Sequence, residues 1–373
     1  GVFLRYVPPQ VRLISLDASI SPYYHRYRWR RWLNFLGHRH LVAFDLDCFL
    51  KLNAVIAKAF SLFRMKPSIY SEKINMLVLC LANYLRENRP KAMLAVLTDP
   101  NIIALKAKRL AHLPFHLAIN EQSMPSAYFR FDHFKEKGIK NLYPKADSII
   151  AISQYVAEDL IHNYGLPSEK ITVIYNPVIT SDLFEKALQP ANHPWLKQKQ
   201  LPVIAAVGRL VKEKDYPTLF RAIALIRQVR PVRLLVLGEG KERTNLERLA
   251  AELGIQNDVS MPGFVDNPFA FMAKASVFVL SSAWEGFGNV IVEALACGCP
   301  VVSTDCGGPR EILDNGRYGR LVPSGDPEAL AKAILETLND PDKPANREER
   351  IRRAMEFSVD KIVSQYLKVL RLR

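Results

Sequence analysis

Short runs of consecutive apolar residues recur along the chain, each bounded by polar or turn-forming residues and separated by stretches of helical periodicity. VRLISL (11–16), AMLAVL (92–97), FHLAIN (115–120), SIIAIS (148–153) and KITVIYNPV (170–178) form a first set. VIAAVG (203–208), RLLVLG (233–238), VSMPGF (259–264), VFVLS (277–281) and PVVST (300–304) form a second. Runs of this length fit strands buried on both faces, and their alternation with helical stretches predicts open parallel α/β sheets. Polar, proline-containing sequence at 188–202 separates the two sets. The pattern predicts two Rossmann-like α/β domains facing across a cleft, residues 1–180 and 181–350, with ligands beyond the carboxyl ends of the strands. In the closing stretch, 351–373, Ile362, Val363, Tyr366, Leu367 and Leu370 recur at helical spacing.

Composition narrows the class. A chain of 373 residues with 49% apolar and 24% charged residues is globular and large enough for two cores. No apolar stretch reaches the roughly 18 residues that a membrane-spanning helix needs. The opening GVFLRYVPPQVRLISLD lacks a charged leader, apolar core and cleavage site, so no signal peptide is expected. The five cysteines, Cys48, Cys80, Cys297, Cys299 and Cys306, show no metal-ligand spacing and fit a reducing cytoplasm. A net charge of +14 favours phosphorylated substrates, anionic lipid or nucleic acid as partners. No zinc-finger, ribonucleoprotein or helix-turn-helix pattern supports nucleic acid. The densest basic cluster, YYHRYRWRRWLNFLGHRH at residues 23–40, interleaves arginines with tyrosines and tryptophans. That mixture suits either an anionic membrane surface or a solvated basic helix packed by its aromatics.

The chemistry concentrates in SAWEGFGNVIVEALACGCPVVSTDCGGPREIL, residues 282–313. Gly286 and Gly288 allow the main chain to pass close to a ligand, and Phe287 lies between them. Asn289 reads as the N-cap of a helix carrying Val290, Ile291, Ala294 and Leu295 on one face, stopped by Gly298 and Pro300. The positive end of that helix would face the EGFG loop and favour a diphosphate. Glu293 is expected in the first turn, where a carboxylate can accept hydrogen bonds from ribose or sugar hydroxyls, and Glu285 stands in the loop itself. Upstream, Gly208-Arg209 ends an apolar run and Lys214 follows five residues later. A planar guanidinium and a mobile ammonium together can neutralise a leaving diphosphate without a metal. The GEG beginning at Gly238 reads as a strand-end turn bordering the nucleotide. No hydrolase triad is present and no D-x-D element suggests a metal-bound diphosphate, so no metal and no other cofactor is expected.

Taken together, these segments resemble the donor-site signature of the retaining glycosyltransferases of family 4, whose E-x7-E pair is matched by Glu285 and Glu293. AAVGRLVKEKDYPTLF, RLLVLGEGKERTNLERL and AKASVFVLSSAWEG follow that family's order and spacing. The resemblance is strong over 142–373, looser over 70–141 and poor before residue 70. It implies GT-B architecture, with Glu285, Arg209 and Lys214 catalytic and a nucleotide sugar, UDP- or GDP-linked, as co-substrate. It further implies a donor site of Gly208, Gly238, Gly263, Phe264, Val265, Gly286, Phe287, Gly288, Asn289, Val290 and Glu293, with Gly263, Phe264 and Val265 in the nucleobase loop. The last helix, 351–373, is expected to cross back to the N-terminal domain. The acceptor would be a glycan or a lipid-linked sugar, met in the cytoplasm or at the inner face of the membrane through residues 23–40.

Two departures concern the N-terminal half. The opening residues resemble the family's second strand, so the first strand and its glycine-rich loop are expected to be missing. Glu121 and Gln122 stand on the acceptor side, and Gln122 occupies the place where the family commonly carries a histidine. A glutamine keeps hydrogen bonding and loses acid/base function. Two other classes share this outline. A phosphorylase or epimerase would show phosphate dependence or acceptor-free epimerisation, and a non-catalytic glycan- or membrane-binding protein would bind donor without transfer.

Overall fold

The computed structural model describes residues 68–129, 132–198 and 200–372. The predicted strand at 11–16, the basic cluster at 23–40, Cys48 and the expected absence of a first strand and loop lie outside these residues. Contacts divide the chain into two units. The first runs to Ala151 and takes in Ala157–Val173 and the chain from Tyr366 onward; the second comprises Ile152–Val156 and Ile174–Gln365.

The first unit holds a four-stranded parallel sheet in sequence order: β1 (Ala92–Val96), β2 (His116–Glu121), β3 (Ser148–Ala151) and β4 (Ile171–Val173). Ala92 faces His116 and Ala118 faces Ser148, so the strands are in close register. β1 to β3 are buried almost throughout because helices such as Thr98–Ala111, which connects β1 to β2 and packs on Ser68–Asn88, cover them. In β2 the apolar Leu117, Ala118 and Ile119 give way at the carboxyl end to two buried polar residues, Asn120 and Glu121.

A six-stranded parallel sheet forms the second unit: β5 (Val203–Val207), β6 (Arg233–Leu237), β7 (Val259–Gly263), β8 (Val277–Leu280), β9 (Val301–Thr304) and β10 (Arg320–Val322), in the spatial order β10-β9-β8-β5-β6-β7. Alternate side chains serve two cores. Leu234 and Val236 join Phe220, Ile223 and Ile334 from the helices Tyr216–Val229 and Pro327–Asn339 on one face. Leu235 and Leu237 join Leu196, Ala270 and Phe271 on the other. Each large side chain withdrawn from water in this way contributes about 1.5–3 kcal/mol before chain entropy is counted. Both sets of apolar runs within the described residues form the expected strands. β10 was not among them, because a three-residue edge strand beginning with arginine leaves no apolar run to read. No helix among the described residues is long and apolar enough to cross a membrane.

Candidate active site

The strand order of the second sheet reverses between β8 and β5. Loops leaving the carboxyl ends of two such strands diverge and open a crevice, the usual ligand position in an α/β sheet. The loop after β5 carries Gly208, Arg209 and Lys214; the loop after β8 carries Ser281, Ser282 and Glu285. Backbone and side-chain hydrogen bonds tie the loops together. Ala283 donates its amide to Glu213 O at 2.9 Å, and Ser281 Oγ donates to Lys214 O at 2.9 Å. The Lys214 ammonium and the Glu285 carboxylate form a direct ion pair, and Ser282 Oγ donates to the same carboxylate oxygen at 3.2 Å. Lys214 is 12% exposed and Glu285 20%, so the pair is only weakly screened by water. Arg209, 54% exposed, meets Glu213 Oε1 at 3.3 Å, an interaction worth little at that exposure.

The EGFG loop is pinned on both sides. Glu285 donates its amide to Cys306 O at 3.0 Å and accepts from Gly308 N–H at 3.2 Å. Ser153 Oγ donates to Gly286 O at 2.7 Å while accepting Val156 N–H at 3.1 Å, so one hydroxyl serves both the loop and the start of the helix Gln154–Tyr164. The Phe287 ring turns inward, stacked on Tyr175 with centroids 5.4 Å apart and edge-on to Phe357 at 5.5 Å. It therefore anchors the loop, and only its backbone is left for a ligand. A Cβ on Gly308 would sit 2.3 Å from Phe287 Cα, which explains a glycine there.

The helix behind the loop spans Asn289–Ala296. Two expectations are corrected here. Its N-cap is Gly288, in the left-handed region at φ 103°, and Asn289 is the first helical residue. The side chain of Asn289 accepts from Asn176 Nδ2 at 3.0 Å in place of capping. Glu293 consequently lies beyond the first turn, half-buried on the helix flank. Val290 is buried against the core. At the far end Gly298 at φ +71° donates to Leu295 O, and Cys299 N–H reaches Ala294 O, a left-handed C-terminal stop of the expected kind.

Glycines line the carboxyl ends of the neighbouring strands. Gly208, Gly238 and Gly263 follow or end β5, β6 and β7, and successive backbone bonds run from Gly208 N–H to Leu237 O and from Gly238 N–H to Gly263 O. A Cβ on Gly238 would stand 1.9 Å from Gly208 O, so the backbones approach as closely as glycine alone allows. Glu239, in the turn, is held by Arg243, whose hydrogen bonds keep the carboxyl below its ordinary range. Next to Gly263 the Phe264 ring is 54% exposed, and Val265 packs at the edge of the core beside Trp195 and Val207.

In the first unit Glu121 has no exposed surface. It accepts from Thr98 Oγ1 at 2.9 Å, Tyr143 OH at 2.7 Å, Ser123 Oγ at 2.9 Å and the amide of Gln122 at 3.1 Å. Burial holds its carboxyl above the ordinary value of 4.5, against hydrogen bonds that pull the other way. So enclosed, Glu121 cannot touch an acceptor and acts only through the residues it holds. Gln122 is half-exposed beside it.

Ser153, Asn176 and Ser282 are parts of this arrangement that sequence reading passed over. Small polar residues at strand ends are the only signal they carry, and many such residues elsewhere do nothing similar. Cys297, Cys299 and Cys306 are buried, and burial raises Cys306 to about 12, which keeps it a thiol. Among the described residues no group of three or more His, Cys, Asp or Glu side chains could hold a metal ion.

Comparison with known proteins matches these two units to two family profiles. The one described as Glycosyltransferase Family 4 matches residues 27–182, and Glycosyl transferases group 1 matches residues 191–354. The first match begins at residue 27, well upstream of the stretch over which the motifs resemble the family. A curated relative, N-acetylgalactosamine-N,N'-diacetylbacillosaminyl-diphospho-undecaprenol 4-alpha-N-acetylgalactosaminyltransferase of Campylobacter jejuni, is 35% identical over 280 residues, covering 74% of each chain. The lipopolysaccharide core biosynthesis glycosyltransferase LpsE of Rhizobium meliloti is 39% identical over 171 residues, 45% of this chain and 49% of its own. Among solved structures, Anabaena HepE in complex with UDP superposes with a TM-score of 0.70 at 26% identity, covering 79% of this chain and 82% of its own. The match to the Campylobacter enzyme, the two profiles and the paired parallel-sheet units establish that this chain belongs to the retaining glycosyltransferases of family 4, enzymes of the GT-B class.

Proposed function

We propose that this glycosyltransferase moves a hexose or N-acetylhexosamine from a UDP-sugar to a lipid-diphosphate-linked glycan, in the assembly of a cell-surface polysaccharide or glycolipid. UDP is favoured as the nucleotide because HepE was solved with UDP and with UDP-glucose. The lipid-linked acceptor is favoured by the name of the Campylobacter relative, a transferase for a diphospho-undecaprenol-linked sugar.

The observation that carries the donor reading is the Lys214–Glu285 pair at the reversal of strand order, under Ser282 and beside the helix Asn289–Ala296. Lys214 and Arg209 would face the diphosphate. Glu285 would orient a sugar hydroxyl, with the backbone of Gly286, Phe287 and Gly288 alongside. Glu293 would reach the ribose, and the exposed Phe264 ring with the backbone of Gly263 and Val265 would border the base. In the reaction the bond from the anomeric carbon to the phosphate oxygen breaks and a bond to the acceptor oxygen forms on the same face. The acceptor proton passes to the departing phosphate. Cations held in a half-buried site stabilise the charge that grows on the diphosphate, so transfer needs no nucleophile from the protein. Residues 23–40 would dock the enzyme on an anionic leaflet, where each arginine contributes about 1 kcal/mol. Sedimentation with anionic vesicles at low salt, lost when four of these arginines are replaced by glutamine, is the corresponding measurement.

Calorimetric titration with UDP tests the donor site. Lys214→Ala should weaken UDP binding by about 1.5–3 kcal/mol, the worth of a charge-assisted hydrogen bond. Unaltered affinity would remove Lys214 from the diphosphate.

A further inference from the structure

The first unit holds a cavity of about 370 Å³ lined by Ser126, Glu136, Lys140, Asn163 and Tyr164, none of which belongs to the donor crevice. Its volume lies within the roughly 300–1,000 Å³ typical of small-molecule sites. The walls come from the short helix Pro125–Tyr128, from the helix His133–Leu142 and from the last turn of the helix Gln154–Tyr164. A helix joining two parallel strands runs back toward the amino ends of the sheet, so Asn163 and Tyr164 stand remote from the carboxyl ends of β1 to β4.

A buried carboxylate fixes two of the walls. Asp159, 6% exposed, accepts the Ser126 amide at 3.1 Å on one oxygen and Asn163 Nδ2 at 2.7 Å on the other. Among the described residues the Ser126 hydroxyl, the Asn163 carbonyl oxygen and the Tyr164 hydroxyl are left without a hydrogen-bond partner. Tyr164 is only 7% exposed. Burial, and after it the carboxylates of Asp159 and Glu136, raise its ionisation above the ordinary tyrosine value of 10, so the hydroxyl keeps its proton and can donate. A buried hydroxyl with no partner is costly, and the cavity that Tyr164 lines is where a partner can reach it.

The charges at the cavity offset each other. Glu136 and Lys140 stand one helical turn apart; Glu136 Oε2 is 3.5 Å from Nδ1 of the exposed His133, and Lys140 Nζ is 5.9 Å from the centroid of the Tyr164 ring. One carboxylate and one ammonium give no net attraction for an anion or a cation, whereas two hydroxyls, a carboxamide, a carboxylate and an ammonium together match a ligand dense in neutral hydroxyl groups. We propose that this cavity is a second carbohydrate site, which binds a neutral hexose or N-acetylhexosamine unit of a glycan. Tyr164 and Lys140 donate to sugar oxygens, and Glu136 and the Asn163 oxygen accept from sugar hydroxyls. The site takes no part in group transfer, and it stands whichever nucleotide or acceptor the enzyme uses.

Saturation-transfer difference NMR on the full chain tests the site, with the methyl glycosides of glucose, galactose, N-acetylglucosamine and N-acetylgalactosamine as probes. At least one should bind the wild-type chain, equally well with and without saturating UDP. Tyr164→Phe, which keeps the ring and removes only the hydroxyl, and Asn163→Ala should each weaken that binding about five- to tenfold and leave UDP affinity unchanged. Should Tyr164→Phe melt well below the wild type, Asn163→Ala, at an exposed position, decides alone. No signal from any of the four probes overturns the proposal, and so does binding that the folded variants retain in full. Binding that UDP displaces would put the sugar in the donor crevice, and displacement by inorganic phosphate would mark an anion site; either result overturns it. Failure of the chain to bind UDP would sink the donor-site reading, while the two variants would still decide this one.

Discussion

Single residues set the terms at both strand-end clusters, and two of them make contrasting tests. Gly238 stands at φ +148° with its missing Cβ directed at the Gly208 carbonyl, whereas Gly254 at φ +66° faces open space. Gly254→Ala should cost about 1 kcal/mol of backbone strain; Gly238→Ala should cost at least about 3, because two strand ends must separate as well. Urea denaturation distinguishes them, and equal losses would mean that the close approach of β5 and β6 contributes nothing. Glu121 predicts a pH dependence. Its folded carboxyl stays protonated over an interval above 4.5 in which the unfolded chain has released the proton. The folded state thus binds more protons there, and stability falls as pH rises through that interval. Glu121→Gln removes the dependence and leaves a constant offset from its amide among hydroxyl donors. The wild type's urea midpoint should therefore fall relative to the variant's as pH rises from 4 to 7, about the span where a raised carboxylate titrates. A pH-independent difference would mean that burial does not raise the Glu121 carboxyl above its unfolded value.

At the scale of elements, packing and not propensity decides what the helix behind the EGFG loop looks like. Sequence reading located the loop, the helix, its stop and the following strand, because glycine, proline and an apolar stripe each leave a local mark. It misjudged the start by one residue. Asparagine is a favoured N-cap, yet the turn that buries Phe287 demands a left-handed residue immediately after it, and Gly288 meets that demand while Asn176 takes the Asn289 side chain. That one-residue shift is also why Glu293 leaves the first turn. The glycines after β5 and β6 were legible as strand ends, but their mutual approach is a property of two strands 30 residues apart, about which a local pattern is silent. The Phe287 ring, fully buried between Tyr175 and Phe357, makes the loop part of the core. Phe287→Ala should cost about 3–5 kcal/mol and weaken UDP binding as the loop loosens. A stable variant with native UDP affinity would show that the loop is held by its backbone bonds alone.

For the whole molecule, the alternation of apolar runs revealed two parallel-sheet units, yet it could not reveal that neither unit is continuous in sequence. The chain passes between them four times, after Ala151, Val156, Val173 and Gln365. Ile152–Val156 counts with the second unit, where Ser153 holds Gly286 O and the amides of Gln154 and Tyr155 meet the Glu311 carboxylate at 2.9 Å. Tyr366 counts with the first, through Asn120. This interlacing bears on how such enzymes can recombine. A gene fused at one junction after Val173, joining the front half of this enzyme to the back half of a relative with another donor, would hand each unit a foreign segment: a Ser153 facing an unfamiliar EGFG loop, and a last helix arriving at Asn120 with an unselected residue in place of Tyr366. Chimeras that carry 152–156 along with the incoming donor unit and return 366–373 to the original first unit should melt higher than the single-junction fusion. If the single-junction fusion proves equally stable, these short exchanged segments are interchangeable parts, and donor specificity can be inherited by one crossover.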